Sequence, residues 1–120
     1  MVFTLDGKNV LCDWLATEAD APGYFGTGSG STTVDESDSA LEAEFFPLGG
    51  SRIAMTVLRG AQEVKYDGTL TTGDCNGSIL REYGLFNANT AGSMFTRIVH
   101  SELQKNNTFE VNYVITVRVQ

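Results

Sequence analysis

The stretch FGTGSGST, residues 25–32, alternates glycine with hydroxyl residues in the manner of a phosphate-cradling loop. A Walker loop needs a lysine directly after its last glycine to reach the phosphates. Here Ser31 and Thr32 follow, and the next lysine downstream is Lys65. A dinucleotide fingerprint needs its third glycine three residues after the second, a following helix and a parallel sheet. Gly26, Gly28 and Gly30 are spaced by two throughout, in acidic surroundings that repel phosphate. The stretch therefore reads as a backbone device. Glycine lets two chain segments pass closely or adopts a positive φ. No nucleotide cofactor is expected.

His100 is the single histidine, and Cys12 and Cys75 are the only cysteines. A Cys–His nucleophile pair needs the two brought together, and nothing in their spacing does so. The cysteines match no zinc pattern. They read as two reduced thiols, Cys12 half-buried on a helix and Cys75 in a turn, and the sequence leaves a bridge between them open. The acidic run Asp35, Glu36, Asp38, Glu42 and Glu44 suggests calcium. A calcium loop alternates oxygen ligands and places glycine sixth. Counted from Asp35, the third and fifth positions are Ser37 and Ser39, and the sixth is Ala40. The run reads instead as the solvated start of a helix. Asp67 and Asp74 fall in turns, where aspartate is expected for backbone reasons. There is no GxSxG nucleophile elbow. No catalytic, cofactor-binding or metal-binding residue is assigned, and the protein is not expected to be an enzyme.

The elements that would position these groups follow from periodicity. In KNVLCDWLAT, residues 8–17, Val10, Leu11, Trp14 and Leu15 recur at helical spacing. Asp6 is the expected N-cap. A short strand is expected over Tyr24–Thr27. DESDSALEAEFF, residues 35–46, reads as a second short helix, with Ser39 and Glu42 forming a capping box and Pro47 and Gly49–Gly50 ending it. Beyond Gly50 the chain turns β-rich, in segments 53–60, 63–70, 77–86, 93–100 and 109–119. In the last, Phe109, Val111, Tyr113, Ile115, Val117 and Val119 alternate with Glu110, Asn112, Val114, Thr116 and Arg118. This long alternation places that strand inside a sheet. Glycine, asparagine and aspartate clusters mark the turns. The expected fold is mainly β. It is an antiparallel β-sandwich or partly closed, jelly-roll-like barrel, with two short helices in the N-terminal half. Residues 1–120 form one domain. Residues 1–50 hold the helices and the glycine-rich connection, and residues 51–120 hold the strands.

Charge narrows the partners. The net charge is −7 over 120 residues. Residues 1–60 carry three basic and nine acidic residues, and residues 61–120 carry five and six. Nucleic acid is excluded as a partner, because phosphate binding needs clustered Lys and Arg. No apolar run approaches membrane length, and the polar, acidic N-terminus predicts no signal peptide. Phe25, Phe45, Phe46, Phe86 and Phe95 exceed what a small core must hold. Those at element ends, Phe45, Phe46 and Phe86, together with Tyr83, are the candidate interface anchors.

Two segments carry a resemblance. In GTGSGSTTVDESDSALEAE, residues 26–44, a Gly-Thr-Gly stretch leads into Asp38-x-x-Leu41-x-x-Glu44. In residues 79–117, Glu82-x-Gly84-Leu85-Phe86 is followed by Gly92-x-x-Phe95-x-Arg97, Lys105, and Val111-x-Tyr113-x-Ile115. This order resembles a broad group of tailed-bacteriophage virion proteins. The second segment is also similar to the first domain of phage tail-collar fibre proteins. The sequence departs from the group at Phe45–Phe46, where arginine is common. The resemblance implies a non-enzymatic virion subunit, made in the host cytoplasm. It would self-associate, as a homotrimer, and dock on the major capsid protein or on tail proteins. The 120 residues hold no shaft repeat or coiled coil, which leans the expectation towards a capsid decoration protein. A tail, neck, baseplate or fibre-attachment subunit is the alternative. A carbohydrate-binding β-sandwich module is the alternative of another class.

Overall fold

The computed structural model describes residues 4–18 and 20–119. Helix α1 (Leu5–Thr17) is followed by strands β1 (Tyr24–Gly28), β2 (Glu44–Phe45), β3 (Ile53–Ala54), β4 (Thr56–Gly60), β5 (Glu63–Leu70), β6 (Ile79–Phe86), β7 (Met94–Gln104) and β8 (Val111–Arg118). All pairings are antiparallel. One sheet runs β2-β1-β6-β7, with β3 also paired to β1, and the other runs β4-β5-β8. The two pack face to face as a sandwich.

Strand alternation builds the core. Phe25 of β1 and Leu80 and Leu85 of β6 meet Val64, Tyr66 and Leu70 of β5 and Tyr113 and Ile115 of β8. Segment 53–60 is not one strand. It breaks at the buried Met55, whose N–H donates to the Gly23 carbonyl at 2.8 Å. Ile53 and Ala54 pair with β1 and Thr56–Gly60 with β5, so the chain changes sheets there. The alternation of 109–119 is present, with Tyr113 and Ile115 buried. Among the described residues, however, β8 pairs only with β5 and forms an edge of the smaller sheet. One covered face suffices to produce the alternation, and it says nothing about a second neighbour.

The first helix begins earlier than its periodicity suggests. Thr4, not Asp6, is the N-cap, and its Oγ1 accepts from the Gly7 N–H at 3.0 Å. Asp6 lies in the first turn, where its charge favours the helix dipole. The helix docks through Cys12, which is fully buried rather than half-buried, and through Leu15 and Ala16. The Tyr66 hydroxyl donates to the Leu15 carbonyl at 2.7 Å. Burial, with the neighbouring Cys12 thiol, pushes the Tyr66 pKa up to about 12, which keeps it a donor.

The expected second helix over residues 35–46 is absent. Asp35 and Asp38 bond the local backbone instead. The Asp35 Oδ1 accepts from the Ser37 N–H at 2.9 Å, and the Asp38 Oδ2 accepts from the Asp35 N–H at 3.1 Å. Such short-range bonds compete with a helical ladder. The N–H groups of Glu42 and Ala43 are also taken by a carboxylate from another strand. Replacing Phe25 by Ala should lower stability by about 3–5 kcal/mol in urea unfolding, the range for emptying a large core site. Tyr66→Phe should cost only about 1 kcal/mol.

Candidate functional site

The five-stranded sheet is covered on both faces. Phe25, Thr27, Tyr83 and Leu85 point into the sandwich, and the register pairs Gly26 with Gly84 and Gly28 with Glu82 on the opposite face. The segment 29–43 crosses that outer face. It can do so only because the glycines leave a trough. A Cβ on Gly28 would lie 2.3 Å from the Ala43 carbonyl oxygen, and one on Gly30 would lie 2.5 Å from a Glu82 carboxylate oxygen.

The trough is an anion cradle, and its anion is internal. Glu82 is fully buried. Its Oε1 accepts from the Glu42 N–H and from Arg97 Nε, each at 2.9 Å. Its Oε2 accepts from the Gly30 N–H at 2.8 Å and the Ala43 N–H at 2.9 Å. Burial acts to raise the Glu82 pKa, but the Ala43 N–H, the Arg97 guanidinium and the Glu42 and Gly30 N–H groups outweigh it and hold it below the ordinary carboxylate range. Arg97 also donates to the Thr32 carbonyl at 3.1 Å, to Asp38 Oδ2 at 3.2 Å and to Thr32 Oγ1 at 3.2 Å. Desolvation works against its charge, and Glu82 and Asp38 reverse that and raise its pKa.

A second buried pair lies alongside. Arg52 and Glu44 form a two-pronged contact at 2.7 and 3.1 Å. Arg52 also donates to the carbonyls of Ala88 and Ala91 in the loop before β7. Its guanidinium carbon sits 3.6 Å from the Phe86 ring centroid. Lys105 is fully buried at the far end of β7. Its Nζ donates to Asn76 Oδ1 at 3.0 Å and to the Asn106 carbonyl at 2.9 Å. No described buried side-chain nitrogen or oxygen lacks a partner.

The residues singled out in sequence distribute unevenly over this frame. Phe86 is 2% exposed beneath Arg52, so within the monomer it presents no contact surface. Phe45 is half-buried against the core, and Tyr83 is half-buried with its ring stacked 4.2 Å from that of Tyr113. Phe46 is 43% exposed. His100 lies within β7 rather than at a strand end. Its Nε2 is 3.1 Å from the Tyr113 hydroxyl, which is 3.2 Å from Thr27 Oγ1. Cys12 and Cys75 are free thiols, and burial raises the pKa of Cys75. Among the described residues no group of three or more His, Cys, Asp or Glu could hold a metal ion, and no helix is long and apolar enough to cross a membrane. A shallow concavity of about 250 Å³ is lined by Val34, Asp35, Glu36, Asp38, Met94, Phe95, Thr96 and Arg97.

Two features went unread in sequence. Arg52 stands outside every motif, and only the fold brings it to Glu44. The apolar face expected from Val10, Leu11, Trp14 and Leu15 is not the face that docks: of the four only Leu15 packs on the core, beside Cys12 and Ala16, and Val10, Leu11 and Trp14 are exposed. No protein-family model matches the sequence, and no curated protein matches it.

Glu82→Gln should destabilise the protein by about 3–5 kcal/mol, because it leaves Arg97 buried without its main counter-charge. A folded-state pKa below the unfolded one contributes stability that is complete above about pH 4.3 and is lost as pH falls through the folded value. The stability gap between wild type and Glu82→Gln, measured by urea unfolding from pH 7 to pH 2, should therefore narrow at acid pH.

Proposed function

We propose that the protein is a non-enzymatic structural subunit of a tailed-phage virion. It associates with copies of itself and docks on the particle surface, with capsid decoration favoured over a tail, neck, baseplate or fibre-attachment role. One observation supports a structural over a chemical role for the residues that carry the phage resemblance. Asp38, Glu44, Glu82, Arg97 and Lys105 use their charges within the fold, each on named internal partners. Such residues hold strands and covering loop together. The glycine stretch supports the same reading, since its anion cradle is already filled by Glu82. The expected partners are the major capsid protein or tail proteins, and the expected form on a symmetric support is a closed ring, a trimer by the resemblance.

Mass spectrometry and cryo-electron microscopy of virions from the phage that encodes the chain should find it in symmetry-related copies on the capsid surface. Its absence from purified particles would overturn the reading, and density on the tail would select the alternative. Calorimetry with ATP, GTP and NAD should show no saturable heat. Saturable binding on a glycan array would favour the carbohydrate-binding alternative.

A further inference from the structure

Strand β7 ends the larger sheet, and among the described residues only β6 pairs with it. A strand with one free side presents a row of unpaired N–H and C=O groups, which folds commonly blunt with charge, proline or a bulge. In β7 the register with β6 shifts between Val99 and Leu103, and again between Met94 and Thr96. Between the two shifts, residues 96–99 keep a regular ladder. They hold no proline. Their one charged side chain, Arg97, is 2% exposed and is spent on Glu82 and Asp38. That stretch of edge is unguarded.

The concavity of about 250 Å³ opens beside it. At the second register shift Phe95 has no partner residue on β6, and bulges of this kind re-aim a side chain. Phe95 lines the concavity and is 44% exposed, and Val34 of the covering segment lines it at 46%. Asp35, Glu36 and Asp38 bring negative charge to the same lining. These three carboxylates and Glu82 share the single guanidinium of Arg97, which leaves the cluster at −3. Asp38 is bonded to Arg97 and Asp35 to Ser37, whereas Glu36 is exposed with no described partner. Among the described residues these groups do not converge as metal ligands. Apolar walls with an uncompensated negative charge suit a long basic side chain, whose methylene stem lies along the walls while its charged end meets the carboxylates.

We propose that β7 takes up a short extended segment of another protein, paired along residues 96–99 and carrying a lysine or arginine into this concavity. Strand addition supplies main-chain bonds whatever the sequence, and a neighbouring pocket selects the side chain. Charge complementarity chooses the occupant. A second copy of this chain brings a net charge of −7 and is repelled from an acidic site. A basic segment is attracted, so added salt weakens its binding. The site asks only for a basic strand, so it stands or falls apart from the virion reading.

The probe is a blocked synthetic peptide of alternating threonine and valine with one central lysine, titrated into isotope-labelled protein and followed by NMR. Saturable amide shifts are expected at residues 34–38 and 96–99. Raising salt from about 50 to about 500 mM should weaken binding several-fold. The same peptide with glutamate in place of its lysine should not bind. A peptide methylated on its backbone nitrogens cannot donate to the edge and should bind about tenfold more weakly. Glu36→Lys changes an exposed side chain and should also weaken binding about tenfold. No saturable shift at millimolar peptide overturns the proposal. So does equal binding of the glutamate or the methylated peptide, a Glu36→Lys variant that binds as wild type, or salt that strengthens binding. Shifts at residues 96–99 that grow with protein concentration alone assign the edge to a second copy and overturn it as well.

Discussion

The carboxylate of Glu82 is the constraint on which one whole face of the molecule depends. A buried anion is tolerable only when its oxygens are fully bonded. Glu82 draws three N–H groups from the covering segment and one from Arg97. That demand explains features that look unrelated in the chain. Glycine stands at 28 and 30 because the covering backbone and the carboxylate occupy the space a Cβ would fill. The chain bends at residues 42 and 43, where both N–H groups turn onto Glu82. Arg97 is buried because its charge is needed there.

The larger sheet thus separates two interiors of different chemistry. The inner one is apolar, with one polar thread from Thr27 through Tyr113 to His100. The outer one is ionic, built from Glu82–Arg97 and Glu44–Arg52 beneath a loop. Dispersion and exclusion of water hold the first and tolerate small changes of shape. The second depends on complete pairing, where removing one partner costs more than the pair contributes. The positions that carry the phage resemblance fall largely on this second interior and on the turn that buries Lys105, so the motif describes how the covering loop is fastened.

The surface open to any contact is what the two interiors leave outside. The aromatic residues that marked a surface in sequence are mostly engaged within the fold, Phe86 under Arg52 and Tyr83 on Tyr113. Val10, Leu11 and Trp14 of α1 remain exposed, as do Phe46, Leu48, Leu58 and Phe95, and α1 is tied to the sandwich by Cys12 and by the Tyr66 hydroxyl.

Local pattern determined much of this protein. The alternation in β8, the β-rich segments behind β5, β6 and β7, the turn residues between them and the helical spacing around Trp14 are short-range signals. They reflect which faces must be covered, and one covered face is enough to create them. Tertiary structure decided what such signals cannot contain. Residues 35–46 have a helical composition, but their N–H groups had a stronger acceptor in a strand some forty residues away. Segment 53–60 is uniformly β-rich, and only the positions of two separate neighbours break it at Met55. The β8 pattern is silent about its free side, so its place at an edge came from the pairing order. Even the glycine stretch was legible as a close-approach device, while the partner it approaches, a buried carboxylate on β6, became visible only when the strands were laid side by side. Periodicity records how a segment meets the boundary between core and water. The identity of the donor or acceptor across that boundary depends on residues distant in the chain.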